Sequence, residues 1–193
     1  MGEIAGKRVM KNHEHGELAK EILVCLAQGG LLLACLAMPG LTKVIPLFSP
    51  KNTKERYRID RVLKKLHKNK LVNIYTRNGN EVVEITKAGK KRVLEYNLDD
   101  MKLKVPKKWD GWWRIVMFDI PESKRRMRDA VSRKIRELGL YPIQKSVFVS
   151  PYVCKNEIDF IGEFFDAREH IIYIKAKEIE GVRKLKEYFK LSA

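Results

Sequence analysis

Between Lys51 and Lys70 the chain carries nine basic side chains against two acidic ones. On a helix, that density of Lys and Arg suits one kind of chemistry, because ammonium and guanidinium groups hold phosphates while arginine forks reach base edges. Arg56, Arg58 and Arg61 suit base contact near the start of such a helix, and Lys54, Lys64 and Lys65 suit phosphates. Arg77, farther on, is placed to enter a minor groove or meet a phosphate. A second cluster of Lys124, Arg125, Arg126, Arg128, Arg133, Lys134 and Arg136 suits a duplex backbone, where charge brings salt-dependent affinity without a base code. The alternative for both clusters is a solvated basic face on a structural helix.

Asp119 is the sharpest catalytic candidate, since it ends an apolar run and a carboxylate at a strand end is held rigidly enough to meet magnesium. One carboxylate is too few for that ion, so a metal site requires the same residue from a twofold partner. Its structural alternative is a bond to backbone amides at the start of the following helix. No Ser-His-Asp, Cys-His, Walker or Gly-rich dinucleotide pattern accompanies it, so an enzyme reading rests on a single side chain. His13 and His15 stand without further ligands at metal spacing. Cys25, Cys35 and Cys154 form neither a CxxC pair nor an even disulfide framework, which fits a reducing cytoplasm and no resident cofactor.

The elements that would position these residues are readable from periodicity. Glu17 to Met38 has a helical pattern with a possible break at Gly29-Gly30, and Leu41 to Phe48 is a short apolar segment. The apolar run Ile22 to Met38 is only 17 residues long and contains Gln28, whereas a membrane span needs about 20 apolar residues. It therefore predicts a buried helix, packed on its own domain or in a dimer. Asn52 and Thr53 can cap a helix from Lys54 to Asn69 whose Ile59, Val62, Leu63 and Leu66 share one face. Val72 to Tyr75 and Val82 to Ile85 read as strands around Asn78-Gly79, a tight hairpin, and a helix follows to about Tyr96. Helices, a basic helix, a two-stranded wing and a helix make a winged helix-turn-helix over residues 1–96. Residues 97–111 suit a linker.

From residue 112 the pattern changes. Trp112 to Ile120 is a buried central strand, Ser123 to Leu138 an amphipathic helix with Met127, Val131, Ile135 and Leu138 inward, and Tyr141 to Gln144 and Ser146 to Pro151 two further strands. A helix at Lys155 to Phe165, a strand at Ile171 to Ala176 and a short helix within Gly181 to Leu191 complete residues 112–193. The order βαββαβ is that of a ferredoxin-like sandwich, so the fold class is α+β, a winged helix-turn-helix followed by a ferredoxin-like domain.

Charge supports a polyanionic partner for both halves. Forty Lys and Arg against 24 Asp and Glu leave +16, divided as 19 basic and 11 acidic residues in 1–100 and 21 and 13 in 101–193. Such a field attracts nucleic acid and raises its encounter rate. Hydrophobic residues at 45% suffice for two modest cores.

The run Trp112 to Pro121, the Arg-rich helix after it and Gln144-Lys145-Ser146-Val147-Phe148 together resemble PaaX-type transcriptional regulators. The central domain of that family is similar to the CRISPR-associated spacer-acquisition protein, the second core Cas protein, and the likeness runs from Trp109 to about Glu180. It implies a cytoplasmic homodimer held through the ferredoxin-like domains, double-stranded DNA as partner, and no membrane. It also implies a competing role: a magnesium-dependent endonuclease or spacer-acquisition subunit with a CRISPR adaptation partner, in which Asp119 matches the Asp ending the first strand of the Cas protein.

Overall fold

The computed structural model describes residues 16–28, 32–33, 52–77 and 80–191. The chain divides into two compact units, Met1–Asn97 and Leu98–Ala193, and both are mixed α+β with antiparallel sheets.

In the first unit, helix α1 (residues 16–27) is followed by strand β1 (Leu32–Leu33), helix α2 (Thr53–Lys68), strands β2 (Val72–Arg77) and β3 (Asn80–Ile85), and helix α3 (Lys87–Asp99). Helix α2 starts where the sequence predicts: the Asn52 side chain accepts the Glu55 backbone N–H at 2.9 Å, satisfying one of the amides that a helix start leaves unpaired. Its apolar face buries Val62, Leu63 and Leu66 against Ile22, Leu23 and Leu26 of α1, Val72 and Val83 of the sheet, and Val93 of α3. Strands β2 and β3 pair from Val72↔Ile85 to Arg77↔Asn80, which leaves two residues, Asn78 and Gly79, between the paired ends.

One expectation is corrected here. The helical pattern over Glu17 to Met38, read with a possible break at Gly29-Gly30, ends at residue 27, and beyond that break Leu32–Leu33 pairs as a strand with Val82 and Val83, so the sheet order is β1-β3-β2. Two consecutive glycines cost a helix about 1 kcal/mol each, which disfavours continuing it through Gly29-Gly30. The segment Leu41 to Phe48, His13, His15 and Cys35 lie outside the described residues.

Helix α3 begins at a close approach. The Thr86 hydroxyl accepts the Gly89 N–H at 3.0 Å and donates to Lys70 O at 2.7 Å. A Cβ on Gly89 would stand 2.2 Å from Leu71 O, so only glycine fits between the helix and the chain entering β2. At its other end α3 runs beyond the predicted Tyr96 to Asp99, and the second unit begins within its last turn, with Leu98 in that unit's core and Met101 and Leu103 packed against it.

That second unit runs β4 (Trp113–Phe118), a short 3-10 turn (Glu122–Lys124), α4 (Arg125–Glu137), β5 (Tyr141–Gln144), β6 (Val147–Ser150), α5 (Lys155–Phe164), a second 3-10 turn (Arg168–His170), β7 (Ile171–Ala176) and α6 (Val182–Tyr188). The strand order is β5-β6-β4-β7, every neighbour antiparallel, which is the layout of a ferredoxin-like sandwich. Its central strand is β4, as the β-branched and aromatic run predicts. Alternation sends Val116 and Phe118 to one face, with Phe148, against Val131 and Ile135 of α4 and Ile158 and Ile161 of α5. Trp113 and Val149 face the other way and are covered by Leu185 of α6. Gly139, at φ +86°, takes the left-handed conformation that ends α4. Among the described residues no helix is long and apolar enough to cross a membrane.

Candidate nucleic-acid interface

Burying one face of α2 fixes what the other face presents. With 3.6 residues per turn, Lys54, Tyr57, Arg61, Lys64, Lys65 and Lys68 form one stripe opposite Val62, Leu63 and Leu66, and all six are exposed. Lys64 donates to Asp60 at 2.8 Å, and that carboxylate raises the lysine's affinity for its proton. Of the predicted base-contacting residues, Arg61 is on this stripe, Arg56 is exposed on its flank, and Arg58 is half-buried at the edge of the core. Arg77 is exposed at the end of β2, beside the hairpin connection. Tyr57 is the residue that sequence reasoning missed: it is 72% exposed, large and aromatic, and surrounded on its stripe by cations. Its signal was present in the spacing, three residues after Lys54 and four before Arg61.

In the second unit the fold gathers a different set. Arg125, Arg128, Arg136 and Lys145 line a cleft of about 580 Å³ together with Glu122, Asp129, Ser132 and Ser146. Arg128 Nη1 donates to Glu122 Oε2 at 2.7 Å, while Arg125 lies 3.9 Å from Glu122 and 3.8 Å from Asp129. Arg126 is exposed but does not line the cleft. Arg136 also stands over the Phe148 ring, 5.6 Å from its centroid. Lys145 comes from the β5–β6 turn, 20 residues after Arg125, and no helical periodicity could have joined it to α4.

Asp119 sits just beyond β4, exposed, with its backbone N–H donating to His170 O at 3.0 Å. The structural alternative for its carboxylate fails: the following 3-10 turn is entered through Pro121 without a side-chain cap, because the proline carries the chain past the aspartate in an extended conformation. Among the described residues no group of three or more His, Cys, Asp or Glu side chains is gathered around Asp119 or elsewhere.

The end of β4 nearest Asp110 is instead structural. Arg114, 3% exposed, donates from Nη1 to Asp110 Oδ1 and to Trp112 O at 2.7 Å each and to Pro151 O at 2.6 Å, and from Nη2 to Asp110 Oδ2. The guanidinium bonds hold the Asp110 carboxyl below the usual carboxylate range. Nearby, burial pushes the Cys154 thiol up to about 12, which makes it a core side chain rather than a nucleophile.

The strand order, the cationic helix after β4 and the placement of β6 beside β4 invite comparison with known families. Residues 106–187 match the family model of the PaaX protein central Cas2-like domain. The Cas2-like domain therefore takes in every strand of the second unit, and the PaaX-type resemblance carried by Trp112 to Pro121 and Gln144 to Phe148 is supported. No curated protein matches the chain at a significant level.

Proposed function

We propose that the protein is a PaaX-like transcriptional regulator that binds duplex DNA through α2 and the β2–β3 hairpin, which together act as a winged helix-turn-helix. The observation that carries this reading is the exposed stripe Lys54, Tyr57, Arg61, Lys64, Lys65 and Lys68 on a helix that directly precedes a two-stranded hairpin, in a chain whose other half is Cas2-like. In this reading Arg61 and Tyr57 meet base edges in the major groove, the lysines with Arg56 and Arg58 hold flanking phosphates, and Arg77 reaches the groove beside the wing. Arg125, Arg126 and Arg128 add sequence-independent affinity from the Cas2-like domain. The regulator works in the cytoplasm and needs neither magnesium nor any other cofactor.

The active form is a homodimer joined through the Cas2-like domains. Supporting this, the sheet face away from α4 and α5 leaves Ile172 and Ile174 on β7 56% and 38% exposed beside Met117 and Ile115, a continuous apolar strip. A twofold interface would then set the spacing between half-sites.

The deciding experiment selects bound duplexes from a random library with wild-type protein and with Arg61→Ala plus Lys65→Ala. A preferred two-part site is expected for the wild type and its loss for the variant, while light scattering reads a dimer that Ile172→Asp converts to monomer. Unchanged site preference in the double variant would sink the regulator reading. Magnesium-dependent cutting of DNA or RNA that Asp119→Ala abolishes would establish the endonuclease or adaptation role in its place.

A further inference from the structure

The cleft between α4 and the β5–β6 turn has a lining unlike that of a pocket for an organic cofactor. Its eight residues are Glu122, Arg125, Arg128, Asp129, Ser132, Arg136, Lys145 and Ser146, all polar. Pockets for nucleotides or acyl groups bury most of the ligand against apolar and aromatic walls. Here guanidinium forks, an ammonium and two hydroxyls converge instead, a donor set matched to a group that offers only acceptor oxygens.

We propose that this cleft holds a backbone phosphate of nucleic acid, with the Glu122 carboxylate as an internal anion that the phosphate displaces. Glu122 occupies the phosphate's place in part: one oxygen accepts from Arg128 at 2.7 Å and the other lies 3.9 Å from Arg125. The carboxylate is 69% exposed, so its pairs are screened and weak and give way to a dianionic or polyanionic competitor. Among the described residues no carboxylate lies within ion-pair distance of Arg136 or Lys145, which supply the surplus charge. Ser132 and Ser146 add hydroxyl donors. The absence of an apolar wall among the lining residues favours a chain of phosphodiesters, whose bases remain outside, over a free nucleotide or acyl ligand.

This inference rests on the proposed function for its partner and for the backbone role of Arg125 and Arg128, and adds Arg136, Lys145 and the displacement of Glu122; because the proposed site preference rests on α2, the two can fail separately. Full-length protein is titrated against a labelled random-sequence duplex by fluorescence anisotropy, from about 50 to 200 mM salt. Arg136→Gln with Lys145→Gln is expected to make the slope of log affinity against log salt shallower by about one, for the one phosphate that the cleft neutralises, so that affinity falls about three- to fourfold less over this range than for the wild type. Glu122→Gln is expected to tighten binding severalfold. Tryptophan fluorescence on urea unfolding verifies that each variant is folded.

An unchanged slope in the folded Arg136/Lys145 variant overturns the inference even if Arg61→Ala with Lys65→Ala weakens binding, which leaves the proposed function standing. The reverse pattern removes the proposed role of α2 and leaves the cleft. Pyrophosphate and inorganic phosphate are titrated separately. Binding of either that the Arg136/Lys145 change abolishes while duplex affinity and slope stay the same would make the cleft a small-anion site and refute the backbone assignment.

Discussion

Replacing Arg114 with Met removes four hydrogen bonds from the end of β4 while keeping an unbranched chain of similar length. Their losses are unequal. Trp112 O keeps a donor, the Trp109 indole N–H at 2.9 Å. Asp110 has a side chain 47% exposed and is rehydrated, so its ion pair counts for little after solvent screening. Pro151 O, in a buried residue, is left with no donor, and a buried unsatisfied carbonyl costs about 1–3 kcal/mol. With the screened Asp110 bond added, the expected loss is about 2 kcal/mol, or roughly 10 °C in Tm for a unit of this size.

The assay is unusually clean, because all three tryptophans, Trp109, Trp112 and Trp113, lie in the second unit and report its urea unfolding alone. Asp110→Asn should cost less than about 1 kcal/mol, since the amide oxygen still accepts from Arg114. Acid adds a signature. Because Arg114 lowers the Asp110 pKa on folding, the pair's stabilisation is complete above about pH 4, the ordinary carboxylate value, and is lost as pH falls through the depressed folded value. The difference between wild type and Asp110→Asn should therefore shrink only at acid pH. A variant Arg114→Met within about 0.5 kcal/mol of wild type, or an Asp110→Asn loss as large as that of Arg114→Met, would refute this account of the strand end.

Two further outcomes are expected. Tyr57→Ala should narrow the preference for the selected site over random duplex by roughly tenfold while leaving the salt slope unchanged, because an aromatic contact to a base carries discrimination of about 1–3 kcal/mol and no counterion release; competition anisotropy measures both, and an equal loss of affinity for selected and random duplexes would place Tyr57 against the backbone. Cys154 should resist alkylation at pH 8 in folded protein and react only as the second unit unfolds, since burial holds its thiol at about 12; mass spectrometry along a urea series reads this, and labelling faster than unfolding would contradict it.

Much of the fold was legible in local pattern. Asn52 announced the start of α2, the β-branched and aromatic run from Trp112 to Ile120 announced a central strand, and Ile171 to Ala176 was bounded as the structure has it. Each signal depends on a residue's immediate neighbours. The misread stretch was Leu32–Leu33, past the glycine pair, where apolar content could not separate helix from strand and the decision fell to Val82 and Val83, some fifty residues away. The candidate interface was legible as charge but not as a site. Spacing marked which residues of α2 are cationic, and only packing separated the exposed Arg61 from the half-buried Arg58.

By itself, then, the sequence determined the order of elements from α2 onward, the charge of +16 and the two helices that concentrate it, because periodicity, capping and composition act within a turn or two of chain. Tertiary structure alone decided which charges act together. Lys145 joins Arg125, Arg128 and Arg136 because the β5–β6 turn folds back beside α4. Arg114 is a buried tie rather than a ligand-binding cation because Pro151 O and Asp110 surround it. Asp119 stands exposed and caps no helix because Pro121 carries the chain past it. Contacts between residues far apart in sequence have no local signature, since their strength lies in distance and burial that exist only once the sheet and helices have packed.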